Sequence, residues 1–134
     1  MVRTILVMTF LGLAAPAAEA QRPDSLALAR QYTAWFYAGQ ADSLWAHTHP
    51  DMRASTRSEG FYLDRLATLV ERAGVELELV EERFRMRNGQ PQYWRTATFS
   101  EFTDEPILFR WVIVDGMIAG VGVSPLSQAP PVDP

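Results

Sequence analysis

The chain of 134 residues contains no cysteine, and all twelve of its basic residues are arginine, with no lysine among them. Without cysteine there are no disulfides, no thiolate metal sites and no lipid-attachment residue of the kind that anchors bacterial lipoproteins. The absence of lysine is what a GC-rich coding bias produces, and it needs no functional cause. Histidine is confined to His47 and His49. The longest apolar run, Ile5 to Ala15, is too short for a bilayer, which takes about 20 residues to cross. A net charge of −4 does not draw nucleic acid or anionic lipid through the overall field, so neither is expected as a partner.

What is present at the N-terminus reads as a targeting segment. Arg3 supplies a short positive start, the apolar run follows, and Ala18-Glu19-Ala20 matches a small-x-small cleavage site. The expectation is a cleaved signal peptide over residues 1–20 and a secreted or periplasmic protein, with no membrane segment in its mature form. Arg3 and Glu19 would leave together, so the charge balance is unchanged. The rest is long enough for one domain with its own core.

Three helices are expected next. Asp24 or Ser25 can cap the first, which runs to about Ala38 with Leu28, Tyr32 and Trp35 at i, i+4 and i+7. Gly39 ends it, and a short second helix covers Ala41 to Thr48. After a loop over Pro50 to Ser55, Thr56 and Glu59 match a capping box that opens a third helix ending at Gly74. Its core stripe is Leu63, Leu66, Leu69, Val70 and Ala73. The closing stretch Gln128 to Pro134 is poor in groups that bury and reads as a disordered, proline-rich tail.

From Val75 to Val123 the chain reads as four antiparallel strands. Asn88-Gly89 and Asp115-Gly116 are hairpin turns of the type that needs positive φ. The first turn sets Phe84 against Tyr93 and Glu82 against Arg95. The second sets Trp111 against Gly120 and Phe109 against Gly122, while a turn near Asp104 sets Phe99 against Phe109. Alternation then collects Phe84, Tyr93, Ala97, Phe99, Phe109, Trp111 and Ile118 on a helix-facing side. The other side carries Arg83, Arg85, Arg87 and Trp94, with Val112, Val114, Met117, Val121 and Val123 making its strands three and four apolar. Val75, Leu77 and Leu79 are out of phase with Phe84, and a bulge between Leu79 and Phe84 would turn both sets inward. The expected class is α+β: three N-terminal helices on a curved four-stranded antiparallel sheet.

The stretch Leu28-Ala29-Arg30-Gln31-Tyr32, the Ala38-Gly39-Gln40 break, the helix ending at Gly74 and the closing Val114-Asp115-Gly116-Met117-Ile118-Ala119-Gly120 together resemble the nuclear transport factor two-like superfamily. The nearer likeness is to a family of small secreted bacterial domains within it. The resemblance spans about Ser25 to Ser124 and implies a cone-like, cystatin-like α+β roll. That superfamily includes isomerases, dehydratases, hydrolases, ligand binders and dimerising modules, so the fold does not choose among them.

Three groups of residues are candidates for chemistry. His47-Thr48-His49-Pro50-Asp51 carries metal-ligating types, but i and i+2 diverge on a helix, which favours capping or exposed histidines and no metal. Tyr32 with Asp51 or Asp64 contains the residue types of a tyrosine-plus-carboxylate isomerase site, without a spacing that assigns roles. Glu82, Arg95 and Glu101 share the helix-facing side, where Arg95 either clamps a ligand carboxylate or forms a cross-strand ion pair with Glu82. The expected ligand pocket is Tyr32, Trp35, Tyr93, Arg95, Phe109 and Trp111, holding a small apolar or carboxylate molecule without cofactor or catalytic residue. A small pocket enzyme is the alternative. Apolar strands three and four suggest a homodimer through that face.

Overall fold

The computed structural model describes residues 17–134, with side chains from Ser25 onward. The targeting segment therefore lies, up to Pro16, outside the described residues. The architecture is α+β, four α-helices followed by one antiparallel sheet in the order β1-β2-β3-β4. No described helix is long and apolar enough to cross a membrane.

Helix α1 spans Ala17–Tyr37 and so starts before the expected cap at Asp24 or Ser25, carried back by the helix-favouring alanines at 17, 18 and 20. Gly39, at φ 68°, turns the chain out of it. Helix α2 is Ala41–Ala46. The stretch expected to be loop instead forms α3, Pro50–Ser55, so four helices stand where three were expected. Proline at the first helical position gives up no bond the helix would have made, and the His49 ring caps it by accepting from Asp51 N. Thr56 consequently ends α3 in extended backbone and cannot open the next helix. Ser58 caps α4, Glu59–Ala73, by accepting from Phe61 N at 3.1 Å.

The strands are β1 Glu76–Arg87, β2 Gln90–Phe99, β3 Ile107–Val114 and β4 Met117–Pro125. Asn88-Gly89 and Asp115-Gly116 all have positive φ, as the two hairpin turns require. Phe84 pairs with Tyr93 and Glu82 with Arg95. The β2–β3 register differs from expectation, because Arg95, not Phe99, lies opposite Phe109. Half-buried Phe102 packs beneath Ala97, Phe99 and Ile107, which draws residues 100–106 into a longer loop. The displacement is an even number of residues, so each side chain keeps its face.

Between β3 and β4 the displacement is odd. A bulge between Val112 and Ile113 pairs Trp111 with Val121 and Phe109 with Val123. Val121 and Val123 thus pack against the helix-side core instead of facing away from it. Gly120 and Gly122 take the outer face, beside Val112 and Arg110 and not beneath aromatic rings. β1 carries two register shifts, at Glu76/Glu78 and Leu79/Glu81, where one was expected. The second shift cancels the first, so Glu76 keeps the inward side of Glu82, while Val75, Leu77 and Leu79 are 68%, 67% and 44% exposed.

The helices close over the inner face. Tyr32, Leu44, Tyr93, Trp111 and Ile118 are fully buried there, with Phe36 edge-on to Phe109 at 4.5 Å. Trp111 Nε1 donates to Thr33 Oγ1 at 2.9 Å, which satisfies the one polar atom of its ring.

The outer face is not open to water. Trp94, Gln92, Thr96 and Leu108 are buried on it. Arg85 and Arg110 lie over the Trp94 ring at 5.0 and 6.0 Å. The tail expected to be disordered crosses this side. Leu126 N bonds Pro106 O at one end of the sheet. Arg87 donates to Pro131 O near the other. Asp133 then accepts from Asn88 N and Gly89 N at 2.9 and 2.8 Å, while its own N–H donates to Met86 O. Composition misses this because backbone groups and two carboxylates, Glu105 at Ser127 and Asp133 at the hairpin, hold the stretch.

Candidate functional site

A cavity of about 430 Å³ opens between the end of α1, the last turns of α4 and the inner face of the sheet. Phe36, Leu69, Val70, Ala73, Phe99, Ile107, Phe109 and Val123 make it largely apolar. Its polar end is formed by Tyr37, Glu76 and Arg95. The size lies within the range of small-molecule sites.

The polar end is a closed network. Arg95 donates to Glu76 from Nη2 and Nε at 2.6 and 3.1 Å, and from Nη1 to Glu82 at 2.9 Å and to Tyr93 Oη at 3.3 Å. Tyr37 Oη donates to Glu76 at 2.5 Å, and Tyr93 Oη to Glu82 at 3.1 Å. Arg30 of α1 holds the other oxygen of Glu82 from Nε and Nη2. Two arginines and two glutamates thus neutralise one another across α1, β1 and β2.

The electrostatics follow from this geometry. Burial disfavours the charge on Glu76, but hydrogen bonds from Arg95 and Tyr37, with the charge of Arg95, outweigh it and hold the carboxyl below its ordinary pKa. Glu82 is held low in the same way, against its own burial, by Arg30, Tyr93 and Arg95. Bonding to Glu76 raises Arg95, against the effect of its own burial. Burial, then the bond to Glu76, pushes the Tyr37 hydroxyl upward. A lowered carboxylate is a poor general base near neutral pH, and the Tyr37 proton is already committed. All four carboxylate oxygens of the group are engaged within it, so it presents a fixed polar rim to the cavity.

Of the expected pocket residues, Arg95 and Phe109 line this cavity. Tyr32, Tyr93 and Trp111 are fully buried core, and Tyr32 donates to Gly116 O. Trp35 packs on His47, ring centres 4.9 Å apart, outside the cavity. Glu101 is exposed. Most of the donors of Arg95 are engaged by protein oxygens, so it is the ion pair and not a clamp on a ligand carboxylate. Glu76 escaped sequence reasoning because the second β1 bulge, at Leu77, reverses which residues point inward, and Tyr37 meets it from the end of α1.

The other candidates come apart. Tyr32 is sealed in the core while the Asp51 side chain is 94% exposed, and Asp64 is exposed on α4. His47 Nδ1 bonds Ser43 O at 2.8 Å, His49 caps α3, and Thr48 between them bridges to Ile118 of β4. Among the described residues no three of His, Cys, Asp or Glu converge as a metal would need. No family model, no curated protein and no solved structure matches the chain.

Proposed function

We propose that this is an exported binding domain of the nuclear transport factor two-like type, a cone-like roll that holds a small apolar molecule between α4 and the sheet. The observation that carries the reading is the 430 Å³ cavity, apolar on its walls and closed at one end by a self-neutralised ion-pair network. A neutral rim favours a neutral or weakly polar ligand over an acid, since a free carboxylate would meet Glu76. The order of helices before a four-stranded meander, with its aromatic side beneath them, supports the fold assignment. The signal-like N-terminus supports export to the periplasm or medium.

Native mass spectrometry of the purified protein, followed by titration with the apolar fluorophore N-phenyl-1-naphthylamine, tests it. Ala73→Phe projects a ring from α4 into the cavity and should weaken that probe tenfold or more. Unchanged affinity in this variant would defeat the reading.

Self-association is a second reading, moved from its expected place. Val121 and Val123 face the helices, so strands three and four do not offer the anticipated apolar surface. Exposed apolar residues gather instead on the edge strand β1 and at its start, at Val75, Leu77, Leu79 and Val80. The acids of that strand outside the inner network, Glu78 and Glu81, lie in its first half, and its arginines (Arg83, Arg85, Arg87) in its second. An antiparallel pairing of two copies sets each half against its complement. Light scattering should show a dimer that Leu79→Lys returns to monomer; a monomer up to high micromolar removes this reading.

A further inference from the structure

Arg110 is the opposite of Arg95. It stands on β3, and its guanidinium lies over Gly122 of β4, in the space a Cβ there would take. Its Nε is buried without a hydrogen-bond partner, and among the described residues no carboxylate comes within ion-pair distance of it. Burial, and then the nearby charge of Arg87, lowers its pKa, so its surroundings disfavour the charge that it nevertheless carries. The Trp94 ring, 6.0 Å away, offsets part of the cost of this partly buried cation, and among the described residues no carboxylate offsets the rest.

The partner has a place to sit. Arg110 lines a second cavity of about 430 Å³, between α3, α4 and β4. Arg65 of α4 lines it too, is exposed, and makes no ion pair with a described residue. Met52, Leu66 and Val121 give the remaining wall an apolar part, and Thr56 and Tyr62 line it as well. Two arginines that make no ion pair with a described residue, beside apolar side chains, form a site for one negative group joined to a hydrophobic body. This holds in a chain whose net charge is −4, so the local field opposes the overall one.

We propose that this second cavity binds an amphipathic monoanion, a carboxylate on a short hydrocarbon body, with the carboxylate on Arg110 and Arg65 and the hydrocarbon against Leu66 and Val121. The first cavity takes the neutral ligand, and the second takes the acid that Arg95 cannot.

Calorimetric titration of the full chain with octanoate, and in parallel with octan-1-ol, is the test. Octanoate should bind at least tenfold more tightly than the alcohol, with an affinity that falls as salt rises. Gly122→Ala keeps every charge but occupies the space under the guanidinium, and should weaken octanoate tenfold or more. Arg65→Gln, on an exposed helical face where folding is not at stake, should weaken it at least threefold. Ala73→Phe, which fills only the first cavity, should leave octanoate binding unchanged. Equal binding of acid and alcohol, or unaltered octanoate affinity in both Gly122→Ala and Arg65→Gln, would overturn the proposal.

Discussion

Arg95 meets Glu76 through two hydrogen bonds, one to each carboxylate oxygen, at 2.6 and 3.1 Å, although nineteen residues separate them along the chain. The pair ties the start of β1 to the middle of β2, across the stretch where two bulges interrupt the ladder. The side chains of Arg95 and Glu76 are 17% and 16% exposed, so water screens the pair only in part.

Arg95→Met should therefore destabilise the protein by about 2 kcal/mol, below the range for a fully buried pair because some water reaches this one. The loss comes from stranding Glu76, and Glu82 to a lesser degree because Arg30 still holds it. Adding Glu76→Gln to Arg95→Met should recover part of the loss. Urea unfolding of the two single variants and the double variant measures the coupling.

Acid should act through the same carboxylates. Glu76 and Glu82 are both held below their ordinary pKa in the folded protein. A group lowered on folding contributes its full stabilisation above its unfolded value, about 4.3 for glutamate, and loses it as pH falls through the folded value. Stability should be level from neutral pH down to about 5, then drop on further acidification. In Glu76→Gln the drop should be shallower, by the proton that this residue no longer takes up. Unfolding free energy measured from pH 7 to pH 3 checks both slopes.

Asp133 closes the first hairpin by accepting from both turn amides. Asp133→Ala should cost about 1 kcal/mol, the size of a solvent-exposed bond to a charged group. A sharper readout is amide hydrogen exchange, where Asn88 and Gly89 should exchange at least tenfold faster while the amides of β3 are unchanged.

Gly74 sits at φ 77° where α4 gives way to β1, and a Cβ there would run into Ser100 and Glu101. Gly74→Ala should destabilise by about 1–3 kcal/mol, the range for a side chain forced into a strained conformation. It should also weaken the apolar probe, since Gly74 and Val75 border the first cavity. Thermal unfolding with probe titration separates the two effects.

Much of this fold was legible in the residues. Asn-Gly and Asp-Gly announce their turns because few other dipeptides tolerate positive φ twice, and from the first turn the Glu82–Arg95 pairing followed by counting. Counting failed wherever an unannounced bulge intervened. The one between Val112 and Ile113 reversed the faces of Val121, Val123, Gly120 and Gly122. The one at Leu77 hid Glu76. A bulge is decided by which side chains win burial across the whole sheet, and no local signal carries that. The even displacement between β2 and β3 did no such harm, so the aromatic face was read correctly from a wrong register. His49-Pro50 reads as a helix end, yet it begins another helix. Proline stops a helix behind it and suits one ahead of it, and the sequence alone does not say which applies.

The strap from Leu126 to Asp133 has a bearing on biogenesis. Its anchors at Pro106 and at residues 86–89 lie some twenty and forty-five positions upstream. During synthesis the two hairpins can zip as soon as each emerges, while the bonds to Met86, Asn88 and Gly89 wait until Asp133 has left the ribosome. A nascent chain arrested just short of Asp133 would thus carry a first hairpin whose turn amides lack the carboxylate that accepts from them.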